Sequence, residues 1–252
     1  MKLISLLVIL VVVLIIFILF FNIKSQFSSG ISRKINGAFI INLVDRPDKL
    51  ALALKSLKDF PDVSRTPGIR VNKGDYTTYR APGEIGCSLA HLNILKKISR
   101  LPSRDKQDVE LWYFVFEDDV ISRNVNSFQL AEEILNDAPE KAWGINFGPC
   151  TYGDSPSLLK KFGKFSTCSH AIAYTPEGAS EASKAIKNRF LKSPLDNILS
   201  HDDNFKKHAY NAPIIGKELP SFTIPKKGYI RHHRSLFGQL RGSISRSDII
   251  KN

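Results

Sequence analysis

The chain has 252 residues, 43% of them hydrophobic and 24% charged, with a formal charge of +12 at pH 7. It is long enough to bury a real core as one large domain or two small ones, and three cysteines are too few for a disulfide framework. The positive charge favours anionic partners such as diphosphates or acidic headgroups, but with no basic groove motif interleaved with aromatics it argues against nucleic acid.

The elements follow in chain order. Leu3 to Phe21 is an apolar run in which only Ser5 is polar. Its length matches a bilayer core of roughly 30 Å, and it exceeds the apolar region of a cleaved signal peptide. Residues 1–23 therefore read as a single-pass anchor and residues 24–36, rich in Ser, as a linker. Lys2 precedes the span, while Lys24, Arg33 and Lys34 follow it. The positive-inside rule thus leaves the orientation open and leans against a lumenal globular part.

Residues 37–225 form the expected globular domain. Ala38 to Leu43 reads as a buried strand that ends at Asp45-Arg46-Pro47-Asp48, where a Pro and an Asp suit the first turn of a helix. Leu50, Leu54 and Leu57 give that helix its period. Strand, sharp loop and helix open an α/β nucleotide-binding fold, without the GxGxxG dinucleotide fingerprint. Pro82-Gly83-Glu84 starts a second helix with Ile85, Leu89, Leu92, Leu95 and Ile98 on its buried face, and 101–110 reads as a surface loop.

Leu111 to Phe116 is aromatic and β-branched, which predicts a buried central strand. It stops on Glu117-Asp118-Asp119. Ligands of open α/β sheets bind beyond the carboxyl ends of such strands, and clustered carboxylates there call for a hard divalent cation. Further strands are expected at 143–147 and 171–174. A helix capped by Thr175 runs to about Ile186, another covers 195–205, and a last extended piece covers 212–215. Residues 226–252 carry seven Lys or Arg and one acid, and read as a solvated basic tail. Cys87, Cys150 and Cys168 show no close metal spacing. They read as buried free thiols, with a Cys150–Cys168 pair open to a lumenal domain.

Several segments together resemble glycosyltransferase family 25, the lipooligosaccharide and collagen galactosyltransferases. Phe39 to Arg46 resembles its opening strand and loop. Gly83-Glu84-Ile85-Gly86-Cys87, followed by Ser88 and His91, is similar to its Gly-Glu-Ile-Gly-Cys motif, and Phe116 to Val120 to its acidic motif. His170 to Tyr174, Ser193 to Leu199 and Tyr210 to Pro213 resemble later segments in the right order, so the likeness spans about residues 37–216. Ala90 stands where the family commonly has Ser, and the chain is short for an acceptor-binding part.

The resemblance implies a GT-A-like, Rossmann-type nucleotide-sugar-binding domain behind the N-terminal transmembrane helix. It implies an inverting transfer of a hexose, galactose or glucose, from a UDP-sugar to a glycan, lipid-linked or protein acceptor, with Mn²⁺ or Mg²⁺. The rival is a catalytically inactive, membrane-tethered nucleotide-sugar or glycan-binding module. In a eukaryote the setting would be type II in the Golgi or endoplasmic reticulum.

Expected roles follow. Asp119 is the direct metal ligand, with Glu117 as its partner in an Asp-x-Asp-like spacing; Glu117 or Asp118 orients the ribose or a metal-bound water. Asn42, Arg46, Glu84 and Glu117 are the expected donor contacts. Inversion needs a general base. Asp196 ranks first for it and Asp118 is the other catalytic candidate, while Asp202 and Asp203 read as an exposed helix face. His91 reads as a core histidine. His201, His208, His232 and His233 remain open as a further metal ligand, and Lys226 or Arg231 as a cation closing over the diphosphate.

Overall fold

The structure is a computed structural model and describes residues 31–122, 126–149, 160–161, 168–213, 229–231 and 236–241. Its main sheet contains β1 (Arg33–Asn42), β2 (Val63–Pro67), β3 (Glu110–Glu117), β5 (Gly144–Asn146), β6 (Lys160–Lys161), β7 (Ala171–Tyr174) and β8 (Ala209–Asn211). Their order is β2-β1-β3-β7-β5-β8-β6. Strands β1, β2 and β3 are parallel, β7 is antiparallel to both β3 and β5, and β5 is parallel to β8. Strands β1, β3, β5 and β8 therefore end at one edge of the sheet, and β7 begins there. A second, three-stranded sheet joins β4 (Val120–Ser122) to β10 (Phe237–Arg241) and β9 (Tyr229–Arg231).

Both faces of the sheet are covered, which is why the strands read as near-continuous apolar runs. Trp112, Phe114 and Phe116 point to one face with Ala38 and Ile40, and pack with Ala53 and Leu57 around α1 (Pro47–Ser56) and Ala131, Ile134 and Leu135 of α3 (Ser127–Asn136). Tyr113 and Val115 point to the other face with Phe39 and Ile41. There they meet α2 (Pro82–Ile98), α4 (Pro176–Arg189) and α5 (Leu195–His201). Phe60 lies edge-on to Phe114, Phe116, Phe128 and Phe237, so an aromatic cluster ties the second sheet to the first.

Several expectations need correction. Strand β1 starts at Arg33, inside the stretch read as linker, because β3 pairs with it from Glu110 onward. The buried side of α1 is Lys49, Ala53 and Leu57; Leu54 is exposed, since only one stripe of so short a helix reaches the sheet. Helix α5 stops at His201, where Asp202 caps a 3-10 turn (Phe205–Lys207) by accepting from the amides of Asn204 and Phe205. A strand not expected there, Ala209–Asn211, precedes the piece expected at 212–215, of which residues 214 and 215 lie outside the described residues. The segment read as a tail contains β9 and β10, with Leu236 and Phe237 fully buried. Local composition saw the charges there and missed the apolar pair that docks.

No helix among the described residues is long and apolar enough to cross a membrane, and the Leu3–Phe21 run lies outside them.

Gly86 shows what the Gly-Glu-Ile-Gly-Cys block does structurally. A Cβ there would sit 2.2 Å from the Ile69 carbonyl oxygen, so the loop after β2 closes onto α2 only over a glycine. Gly86→Ala is expected to destabilise the fold by roughly 1–3 kcal/mol, checked by denaturant titration.

Candidate active site

The alternation of β3 continues past its apolar part and separates neighbouring acids. Glu117 follows Tyr113 and Val115 to the α2 face, and Asp118 turns the other way, toward the start of α1.

On the α1 side, Asn42 at the end of β1 is the hub. Its Nδ2 donates to Asp118 Oδ2 at 2.8 Å and to the Arg46 carbonyl at 2.9 Å. Its Oδ1 accepts from Arg65 Nε at 3.1 Å, and Arg65 also donates to its backbone carbonyl. Arg46 Nη1 lies 3.6 Å from Asp118 Oδ1. Burial raises the Asp118 carboxyl above its usual range; the Arg46 charge and the Asn42 bond oppose this, and Glu117 adds to it. Asp118 thus anchors the loop that presents Arg46. Asn42 and Arg46, two expected donor contacts, do meet here. Arg65 was missed because β2 is a short, mostly polar edge strand with no pattern to announce it.

On the α2 side, Glu117 Oε1 accepts from Ser169 Oγ at 2.6 Å and lies 3.3 Å from His91 Nε2 and 3.8 Å from Cys87 Sγ. Burial pushes the Glu117 carboxyl up, but the His91 bond and charge, the Ser169 hydroxyl and His170 outweigh it and hold it below the usual range. The Cys87 thiol is raised well above its ordinary value by burial first, then by the charges of Glu117, Asp119 and Asp196. Asp196 arrives from the first turn of α5. Asp196 Oδ2 accepts from the Cys168 amide at 3.1 Å and Oδ1 from the Asn197 amide at 2.8 Å. Cys168 holds a positive φ of 71°, and its carbonyl accepts from Asn146 Nδ2 at 2.9 Å. The loop entering β7 thereby links Asp196, Glu117 and the end of β5.

Other candidates fall elsewhere. Glu84 is half-exposed and pairs with Arg80, whose buried guanidinium also donates to the Phe190 and Ser193 carbonyls. That pair ties the start of α2 to the loop before α5. Asp203 pairs with exposed Lys206, and His201 sits against the Asn197 carbonyl. His208 stacks on Trp143 at the opposite edge of the sheet, so it is no ligand here. Lys226, His232 and His233 lie outside the described residues, as does the Arg231 side chain. His91 is not a plain core histidine, and Cys168 is disulfide-bonded while Cys87 is a free thiol. Cys150 lies outside the described residues. The Cys87/His91 spacing of one helical turn was the available signal for that pair.

No family model matches the chain, and no curated protein matches it. Among solved structures it is similar to a glycosyltransferase involved in the glycosylation of the major capsid of PBCV-1. The identity there is 8% and the TM-score 0.44, over 71% of this chain and 80% of that one. It is also similar to a Bacillus anthracis protein described as a glucose-1-phosphate thymidylyltransferase, solved in complex with a sucrose, at 13% identity and a TM-score of 0.40. That match covers 70% of this chain and 85% of the other. Likeness at this level assigns neither a family nor a reaction to the chain.

Proposed function

We propose that the chain is a membrane-anchored, metal-dependent glycosyltransferase of family 25 type. It would move a hexose, galactose or glucose, from a UDP-sugar to a glycan, lipid-linked or protein acceptor with inversion. One observation carries this reading. At the carboxyl edge of β1 and β3, a network of Asn42, Arg46, Arg65 and Asp118 adjoins Glu117, and the loop whose Ser169 holds Glu117 also bonds Asp196 through the Cys168 amide. Arginines suit a diphosphate and carboxylates suit a cation beside it.

The donor set fits such a cation. Asp119 places a carboxylate, the oxygen donor such a cation takes, directly after Asp118 at the end of β3. Asp119 would hold Mn²⁺ or Mg²⁺, which would supply Lewis-acid stabilisation of the leaving diphosphate, while Glu117 is engaged by His91 and Ser169. Arg46 and Arg65 orient the donor's anionic groups. Asp196, held by two backbone amides, takes the acceptor hydroxyl proton as that oxygen attacks the anomeric carbon and the bond to UDP breaks. Asp118 positions Arg46.

The anchor would be Leu3–Phe21. The disulfide at Cys168 supports an oxidising compartment for the globular part, a type II arrangement against the weak charge signal of the flanks.

The test is a screen of UDP-sugar hydrolysis and transfer by the full chain, with Mn²⁺ and with chelator. Asp119→Ala is expected to reduce both at least ~100-fold with an unchanged melting curve. Full activity in that variant removes the metal role. Saturable UDP binding with no turnover on any donor leaves the binding module instead.

A further inference from the structure

Three chemically different ligand atoms converge on the α2 face of the sheet. Cys87 and His91 stand one turn apart on α2 and both face the end of β3, where Glu117 meets them. The thiol sulfur, the His91 Nε2 and a Glu117 oxygen all lie within 4.8 Å of one another. The separations carry the argument. Around a tetrahedral zinc, with Zn–N and Zn–O near 2.0–2.1 Å and Zn–S near 2.3 Å, neighbouring ligand atoms stand roughly 3.3–3.6 Å apart. Here nitrogen and oxygen are 3.3 Å apart, and sulfur and oxygen 3.8 Å. The oxygen is thus close to ligand spacing from both partners, and the sulfur and nitrogen, within 4.8 Å of each other, are the pair that draws together on an ion.

We infer that Cys87, His91 and Glu117 form a binding site for a thiolate-seeking divalent transition metal of the zinc type, separate from any cation held by Asp119 on a nucleotide diphosphate. A hard cation such as Mg²⁺ or Ca²⁺ has no use for a sulfur ligand, whereas a Cys–His–carboxylate set suits Zn²⁺ or Co²⁺. The charges close as well. A thiolate, a carboxylate and a neutral imidazole around a divalent ion sum to zero, which a partly enclosed site requires. The Cys87 thiol releases its proton to solvent as the metal–sulfur bond forms. Ser169 donates to the same Glu117 oxygen at 2.6 Å and so orients the carboxylate, as outer partners of metal ligands do. Such an ion would fix the side chain of Glu117 and with it the β3 end that presents Asp118 and Asp119. This inference does not rest on glycosyl transfer, because metal content is measured whether or not the protein turns over.

The experiment uses the full chain, purified without chelator and without a metal-affinity tag, and then exchanged into Co²⁺. Elemental analysis is expected to find about one zinc-type ion per chain. The cobalt form is expected to show a thiolate-to-metal charge-transfer band, both lost in Cys87→Ser and the ion content reduced in His91→Gln. Mg²⁺ in excess is expected to leave the ion in place. If the variants fail to fold, the wild-type cobalt spectrum alone decides, since a band without sulfur character overturns the site. Wild-type protein that carries no transition metal after exposure to equimolar Zn²⁺, with Cys87 still alkylated at the metal-free rate, also overturns it and leaves a His91–Glu117 ion pair.

Discussion

Asp196→Asn is expected to lower kcat by roughly 10²–10⁴-fold, the range spanned by general bases, with the KM for a UDP-sugar little changed. The substitution keeps an oxygen to accept from the Cys168 or Asn197 amide and removes the group that takes the proton. Its structural effect should be about 1 kcal/mol, the worth of one backbone hydrogen bond, visible as a small shift in the denaturant midpoint. The split between kcat and KM is what separates a base from a mere helix cap. Donor hydrolysis by water should fall with transfer, because water needs the same proton acceptor. An Asp196→Asn enzyme of unchanged kcat would return Asp196 to a capping role.

The largest effect on stability is expected at Arg33. Its side chain is fully buried at the first residue of β1. It pairs with Glu110, which opens the neighbouring β3 and also accepts from Trp112 Nε1 at 3.2 Å. The rest of the guanidinium donates to the carbonyls of Leu135 at 3.1 Å, Ala138 at 2.8 Å and Pro139 at 3.1 Å. One planar fork therefore bonds carbonyls at and just past the end of α3 and locks that helix onto the sheet. Arg33→Met would remove the charged donor that Glu110 and these carbonyls share. Breaking a buried pair from one side costs about 3–5 kcal/mol. For a domain of this size that corresponds to a loss of roughly 10 °C or more in Tm, read by calorimetry. Arg33→Lys should recover only part of it, since an ammonium cannot span four acceptors in a plane. A melt for Arg33→Met within a degree of wild type would contradict this account.

Arg33 is also a residue whose place the local sequence does not show. Placed among Ser and Lys, it looks like a linker charge, and nothing local marks it as buried. Its partners lie at 110 and at 135–139, far along the chain. The same holds for β10. Leu236 and Phe237 stand in a basic stretch and count as tail until β4 and Phe60 are seen to receive them. Elements with strong local signals were legible. The start of α2 was marked by Pro82, the cap of α4 by Thr175, whose Oγ1 accepts from the Gly178 amide, and β3 by its aromatic run. These depend on bonding within a few residues, which a sequence displays directly.

The acidic cluster divides along the same line. Sequence by itself determined that Glu117, Asp118 and Asp119 end a buried central strand, because the apolar run before them can be satisfied only inside a sheet covered on both faces. It also determined that Asn42 and Arg46 close the neighbouring strand. Only the tertiary structure decided which way each acid faces and what it meets. Asp118 turns to Asn42 and Arg46, and Glu117 turns to Cys87, His91 and Ser169. A strand sends adjacent side chains to opposite faces. Which helix covers each face, and so which partners wait there, is settled by contacts between residues far apart in the chain.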